Sequence, residues 1–183
     1  MTTAPTTTAT TAAADRWLGD EELIVTKTDL KGHLTYCNET FLQISALTED
    51  EALGRPHNII RDPAMPHGIF ELLWQRVPRG EELFAYIRNR GADGGTYWVL
   101  AYVTRSVVRR GGTDVPVGYH SMRRAPRRAA LPEVARVYTG MNDAERGLPR
   151  KEAAKAGLAW LEEHLTGRGL TYDTWVWGLE DAR

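Results

Sequence analysis

The stretch ELFAYIRNRGADGGTYWVLAYVTRSVVRRGGTDVPVGYHSMRR, residues 82–124, decides the fold. Its runs of β-branched and aromatic residues break twice, at GADGG (91–95) and at RRGGTD (109–114). Gly and Asp there supply the backbone freedom and local hydrogen bonds of tight reversals, so three strands joined by two hairpins are expected. Side chains alternate along a strand, which puts Tyr97, Val99 and Ala101 on one face and Trp98, Leu100 and Tyr102 on the other. Both faces are apolar, so both need cover.

Upstream, EELIVTKTD (21–29) and HLTYCN (33–38) read as two more strands that turn at Leu30-Lys31-Gly32. The period then changes. NETFLQISAL (38–47) is a short helix with Asn38 as N-cap, and TEDEALG (48–54) a second one capped by Thr48 and stopped at Gly54. A longer helix over 65–77 opens at Pro66 and carries Ile69, Phe70, Leu73, Trp74 and Val77 as one stripe. Just before it lies the polar knot Arg61-Asp62-Pro63. Irregular backbone at such a place leaves peptide groups and long side chains free to face a ligand, where a continuous helix would satisfy its own.

Beyond Pro126 the chain turns helical. PRKEAAKAGLAWLEEHLTGRG (149–169) sets Ala154, Leu158, Leu161 and Leu165 on one face, and the closing LTYDTWVWGL (170–179) is aromatic and short. The order of elements gives an α+β class: a five-stranded antiparallel sheet with short helices on one face, plus a C-terminal helical extension. The expected organisation is a disordered Thr/Ala-rich arm at 1–18, a folded domain at 19–126 and the extension at 127–183.

Composition narrows the function. An apolar content of 42% and a charged content of 26% are those of a globular protein, and a net charge of −1 gives no bias toward nucleic acid. The arginines between 105 and 128 read as a solvated hairpin tip and strand end, because no recognition helix accompanies them. A single cysteine, Cys37, excludes an internal disulfide and a multi-cysteine metal site, and it reads as a small core residue. His33, His57, His67 and His164 lack metal-ligand spacing, and no nucleophile is paired with a base, so no catalytic or metal site and no enzyme is expected. Residues 1–15 lack a basic start and an apolar core, and no apolar run approaches the ~20 residues of a membrane span. These features imply a cytoplasmic protein that contacts neither membrane nor nucleic acid.

Taken together, TDLKGHLTYCNETFLQIS (28–45), GRPHNIIRDPAMP (54–66), IRNR (87–90), YWV (97–99) and GYHSMR (118–123) resemble the PAS domain of bacterial aerotaxis receptors, over about residues 23–124. That resemblance implies FAD held between the sheet and the short helices, and a sensor that signals redox or oxygen state to a partner protein. It assigns Asn89 to the flavin ring, Arg61 to the pyrophosphate, Asn38 to a polar position and Phe70 and Trp74 to aromatic ones. It also turns Val99 and Ala101 toward the cofactor, and it places His120 where blue-light LOV domains, also PAS folds, carry a glutamine near the reactive flavin nitrogen.

In aerotaxis sensors the knot usually reads R-H-P-D-M-P. Here Asp62 replaces the histidine and Ala64 the acid, which leaves Asp62 as the carboxylate for the loop or a ligand hydroxyl. The LOV cysteine has no counterpart in Asn58-Ile59-Ile60-Arg61, so a cysteinyl photocycle is not expected. The competing reading is a ligand-free PAS module for protein–protein interaction. The outer apolar face of the sheet needs a lid, either the C-terminal helix or a second subunit in a homodimer.

Overall fold

The computed structural model describes residues 15–181. Five strands, β1 (Ile24–Thr28), β2 (Leu34–Cys37), β3 (Leu83–Arg90), β4 (Thr96–Arg110) and β5 (Thr113–Arg124), form one antiparallel sheet in the order β2-β1-β5-β4-β3. Helices α1 (Glu39–Ser45) and α2 (Glu49–Ala52), a 3-10 turn at His57–Ile60 and helix α3 (His67–Arg76) lie between β2 and β3. Three further helices follow the sheet: α4 (Leu131–Glu145), α5 (Arg150–Thr166) and α6 (Tyr172–Asp181). Among the described residues no helix is long and apolar enough to cross a membrane.

Thr48 and Glu51 close a reciprocal capping box at the start of α2, as the spacing of the acids anticipates. The 65–77 helix begins two residues late, with Pro66 as its N-cap. Pairing of Tyr86 with Leu100 and of Ile87 with Val99 sends odd-numbered side chains of β3 and β4 inward and even-numbered ones outward.

Strand β3 is an edge, and its unpaired backbone groups are covered. The Tyr172 hydroxyl donates to the Phe84 carbonyl at 2.9 Å, the Tyr138 hydroxyl to the Tyr86 carbonyl at 2.8 Å, and the Arg88 N–H to Met65 Sδ at 3.2 Å. The C-terminal helices therefore seal the edge and the adjacent outer face. Trp177 packs on Phe84 with ring centroids 4.6 Å apart. Val134, Val137, Met141, Leu158 and Leu161 share one buried cluster with sheet residues such as Leu83 and Leu100, so α4 to α6 complete the domain's own core.

The expected disordered arm needs a correction at its end. Residues 1–14 lie outside the described residues, but Arg16 N–H donates to the Thr96 carbonyl at 2.7 Å and Leu18 is buried. The bond to β4 and the burial of Leu18 bring the packed chain to before residue 19.

Candidate functional site

Between the inner face of the sheet and α3 lies a cavity of about 230 Å³. Phe70, Leu73 and Trp74 of α3 form one wall, and Ile87, Ala101 and Val103 form the facing one. Tyr119 meets Trp74 edge-on at 5.4 Å between ring centroids. The apolar stripe of α3 and the inward alternation of β3 and β4 are thus one slot, wide where Ala101 has only a methyl group.

Polar groups interrupt this slot at chosen points. Asn89, Ser121 and Thr28 line it, and their side-chain Nδ2, Oγ and Oγ1 atoms are buried without a protein hydrogen-bond partner. Buried polar atoms are nearly always paired. Three that are not, around one hollow, mark it as a place for a polar ligand edge.

The charges have one sign. Lys31, Arg61, Arg123 and Arg150 line the cavity, and no Asp or Glu does. Arg61 stacks its guanidinium 3.3 Å from the Phe70 ring centroid, and its Nε is buried and unpartnered. Burial, and then the charge of Arg150, lower its pKa to about 10.

Arg123 is 6% exposed and donates to Thr26 Oγ1 at 3.1 Å and to His57 Nε2 at 2.8 Å. Burial lowers its pKa to about 10 as well. The bond from Arg123 needs a lone pair on Nε2, so His57 is neutral; burial first, and then the Arg123 charge, hold its pKa well below 6.5. A guanidinium buried against neutral partners alone is an unbalanced charge. The charge balance of the cavity is that of a site that could take an anion.

Of the residues expected to bind cofactor, Arg61, Phe70, Trp74, Asn89, Ala101 and His120 line this cavity, and Asn38, Asp62 and Val99 do not. Asn38 is spent on backbone: its Oδ1 accepts from Val25 and Phe41 N–H at 3.0 and 3.2 Å, and its Nδ2 donates to the Leu23 carbonyl at 2.8 Å. Asp62 accepts from Ala64 N–H at 2.8 Å and pairs with Arg88 Nε at 3.2 Å, so it orders the loop and does not touch the cavity. Val99 faces inward but is fully buried in the core and is not part of the wall. His120 contributes to the wall, yet its pairing with Lys27 and Thr104 turns its side chain to the outer face, while Ser121 and Arg123 point inward. Cys37 lies outside the wall.

Sequence reasoning missed His57, Ser121, Arg123 and Arg150. The strand alternation could have found Ser121 and Arg123 as a pair, once the parity of β5 was fixed.

No protein-family model matches the chain. It is 34% identical over 125 residues to the aerotaxis receptor of Escherichia coli, which is 68% of this chain and 24% of that protein. It is 32% identical over 101 residues to the biofilm dispersion protein BdlA of Pseudomonas aeruginosa, 55% of this chain and 22% of that one. The chain thus matches about a quarter of the length of these relatives. Among solved structures, a light-oxygen-voltage domain studied with a flavin analogue superposes with a TM-score of 0.50 at 18% identity, over 68% of this chain and 87% of that one. The blue-light activated histidine kinase EL346 of Erythrobacter litoralis does so with a TM-score of 0.52 at 15% identity, over 76% and 48%.

Proposed function

We propose, from the premise that this chain carries a PAS fold homologous over much of its length to a stretch of an aerotaxis receptor, that it is a sensory protein that binds FAD and reports redox or oxygen state to a partner protein. The observation that carries this reading is a hollow with an aromatic and aliphatic slot, unpartnered amide and hydroxyl groups, and cations without a carboxylate. A flavin dinucleotide presents those three chemistries in one molecule: a flat ring, a polar pyrimidine edge and a pyrophosphate.

Size agrees with partial enclosure. A cavity of about 230 Å³ falls below the ~300–1,000 Å³ of pockets that bury a whole drug-sized ligand. A bound FAD would therefore be only partly enclosed, with its ring against the aromatic and aliphatic slot. When bound, FAD supplies reversible uptake of electrons and a visible absorption band.

The protein's own residues do the rest. Phe70 and Trp74 exclude water from one side of the slot, and Ala101 leaves room on the other. Asn89 and Ser121 orient the polar edge, and Arg61 balances phosphate charge. Helix α5, packed at backbone level on α3 of the cavity wall, is the route by which a change in the cavity reaches a partner.

The test is direct. The purified protein, incubated with FAD and desalted, is expected to be yellow, and Asn89→Ala is expected to weaken FAD binding roughly tenfold through one lost hydrogen bond. A colourless wild-type protein that takes up no FAD would reject the reading and leave a ligand-free interaction module in its place.

A further inference from the structure

We propose that Arg150, the first residue of α5, is a ligand-binding residue that clamps an anionic phosphate group of the ligand against Arg61. The proposal rests on the FAD reading and extends it, because it makes the C-terminal helical layer part of the binding site. Arg61 and Arg150 line the same cavity although they come from different layers of the fold. Arg150 also borders a shallow hollow on the other side, shared with Pro63, His67, Asn142 and Glu145, so it stands at the cavity's mouth. Its side chain is exposed, as a group that meets a ligand entering from solvent should be.

Among the described residues neither guanidinium has a carboxylate within salt-bridge distance, whereas Arg76, Arg88, Arg124, Arg136, Arg146 and Arg168 each do. Two arginines that repel each other with no acid between them are stabilised by an anion bound to both. The lowered pKa of Arg61, partly caused by Arg150, is the same repulsion seen from one side.

The position of Arg150 is held by packing. A Cβ on Gly68 of α3 would stand 2.6 Å from the Leu158 backbone nitrogen of α5, so the two helices touch at backbone level. The buried Glu145 carboxylate accepts from His67 N–H and Gly68 N–H at 2.9 Å each and ties the end of α4 to the start of α3. Gly157 passes so close to it that a Cβ would meet Glu145 Oε1 at 2.1 Å. Helix α5 therefore cannot slide along α3 without breaking these contacts, and the Arg150 backbone is fixed beside the aromatic wall.

The experiment titrates FAD, riboflavin and inorganic pyrophosphate into the wild-type protein, Arg150→Gln and Arg150→Lys. Riboflavin has the ring without the phosphates. Arg150→Gln is expected to bind FAD roughly 10- to 100-fold more weakly, the scale of one or two charge-assisted hydrogen bonds, with riboflavin affinity unchanged and Arg150→Lys intermediate. Equal FAD affinity in Arg150→Gln and wild type overturns the clamp, and so does an equal loss for FAD and riboflavin. Pyrophosphate separates the two readings. If wild type binds no flavin but pyrophosphate raises its thermal midpoint and leaves that of Arg150→Gln unmoved, the clamp stands and the flavin reading falls. If pyrophosphate also leaves wild type unmoved, both fall.

Discussion

On the outer face of the sheet the Tyr86 hydroxyl donates to Glu180, Arg124 pairs with the same carboxylate, and Arg127 Nη1 donates to the Glu180 carbonyl at 2.6 Å. On the inner face Asn89, Ser121 and Thr28 keep buried polar atoms with no protein partner, and Arg123 has no acid. One sheet thus closes its polar network on one side and leaves it open on the other. An unmet buried donor or acceptor costs about 1–3 kcal/mol, so several around one cavity form a standing penalty that a bound ligand would remove. The outer face does structural work; the inner one keeps polar atoms for which the fold itself supplies no partner.

The largest effect should come from the closed side. Glu180→Ala deprives the buried Tyr86 hydroxyl of its acceptor, while Arg124, half exposed, falls back on water. The expected loss is about 2–3 kcal/mol, or roughly 4–12 °C in thermal midpoint for a domain of this size. The loss should be the same with and without FAD. An FAD-dependent loss would show that the two faces are not independent.

A smaller change of opposite sign is expected on the open side. Arg123→Met removes an uncompensated buried charge, and Thr26 and His57, 3.2 Å apart, still bond to each other. Replacing buried ionic groups with apolar ones of similar size is often neutral or stabilising, so the ligand-free variant should be more stable by about 1–2 kcal/mol. Its affinity for an anionic ligand should fall. Destabilisation as large as that of Glu180→Ala would instead make Arg123 a structural residue, and the contrast between the faces would collapse.

Much of this was legible because strands and hairpins write themselves in period-two alternation and in Gly and Asp at turns. Phe70 and Trp74 stand on a helical stripe and Ala101 on a strand alternation that the sequence shows, whereas Asn89 and the choice of the inward face come from the resemblance. Asn38 and Asp62 failed for a common reason: short polar side chains next to helix starts and prolines find backbone N–H groups nearby and are consumed there. His120 came from the resemblance, and it reaches the cavity wall while its pairing with Lys27 and Thr104 turns the side chain to the outer face; only the parity of β5, which the sheet fixes, separates it from the inward Ser121 and Arg123. Arg150 was out of reach, since only the packing of α5 on α3 brings it to the cavity.

The last expected effect is a pH dependence centred on the open side. His57 is held neutral by burial and by the Arg123 charge, so its folded pKa lies well below its ordinary 6.5. Below pH 6.5 the unfolded chain takes up a proton that the folded protein refuses, and stability falls as pH drops through the window between 6.5 and the folded value. The slope approaches about 1.4 kcal/mol per pH unit for one proton. Denaturant titrations from pH 7.5 to 5 should show this loss in wild type and a flatter profile in His57→Gln. A shallower residual of the same sign is expected from His120, whose pKa burial, Lys27 and Arg123 lower in turn. The carboxylates of Asp29, Glu51 and Glu133, all with lowered pKa, lose their stabilising contribution as pH falls from the ordinary carboxylate range toward their folded values, at the acid end of and below this window. If His57→Gln keeps the full slope, His57 accepts its proton while folded, and the neutral ring that Arg123 donates to is not the one the protein uses.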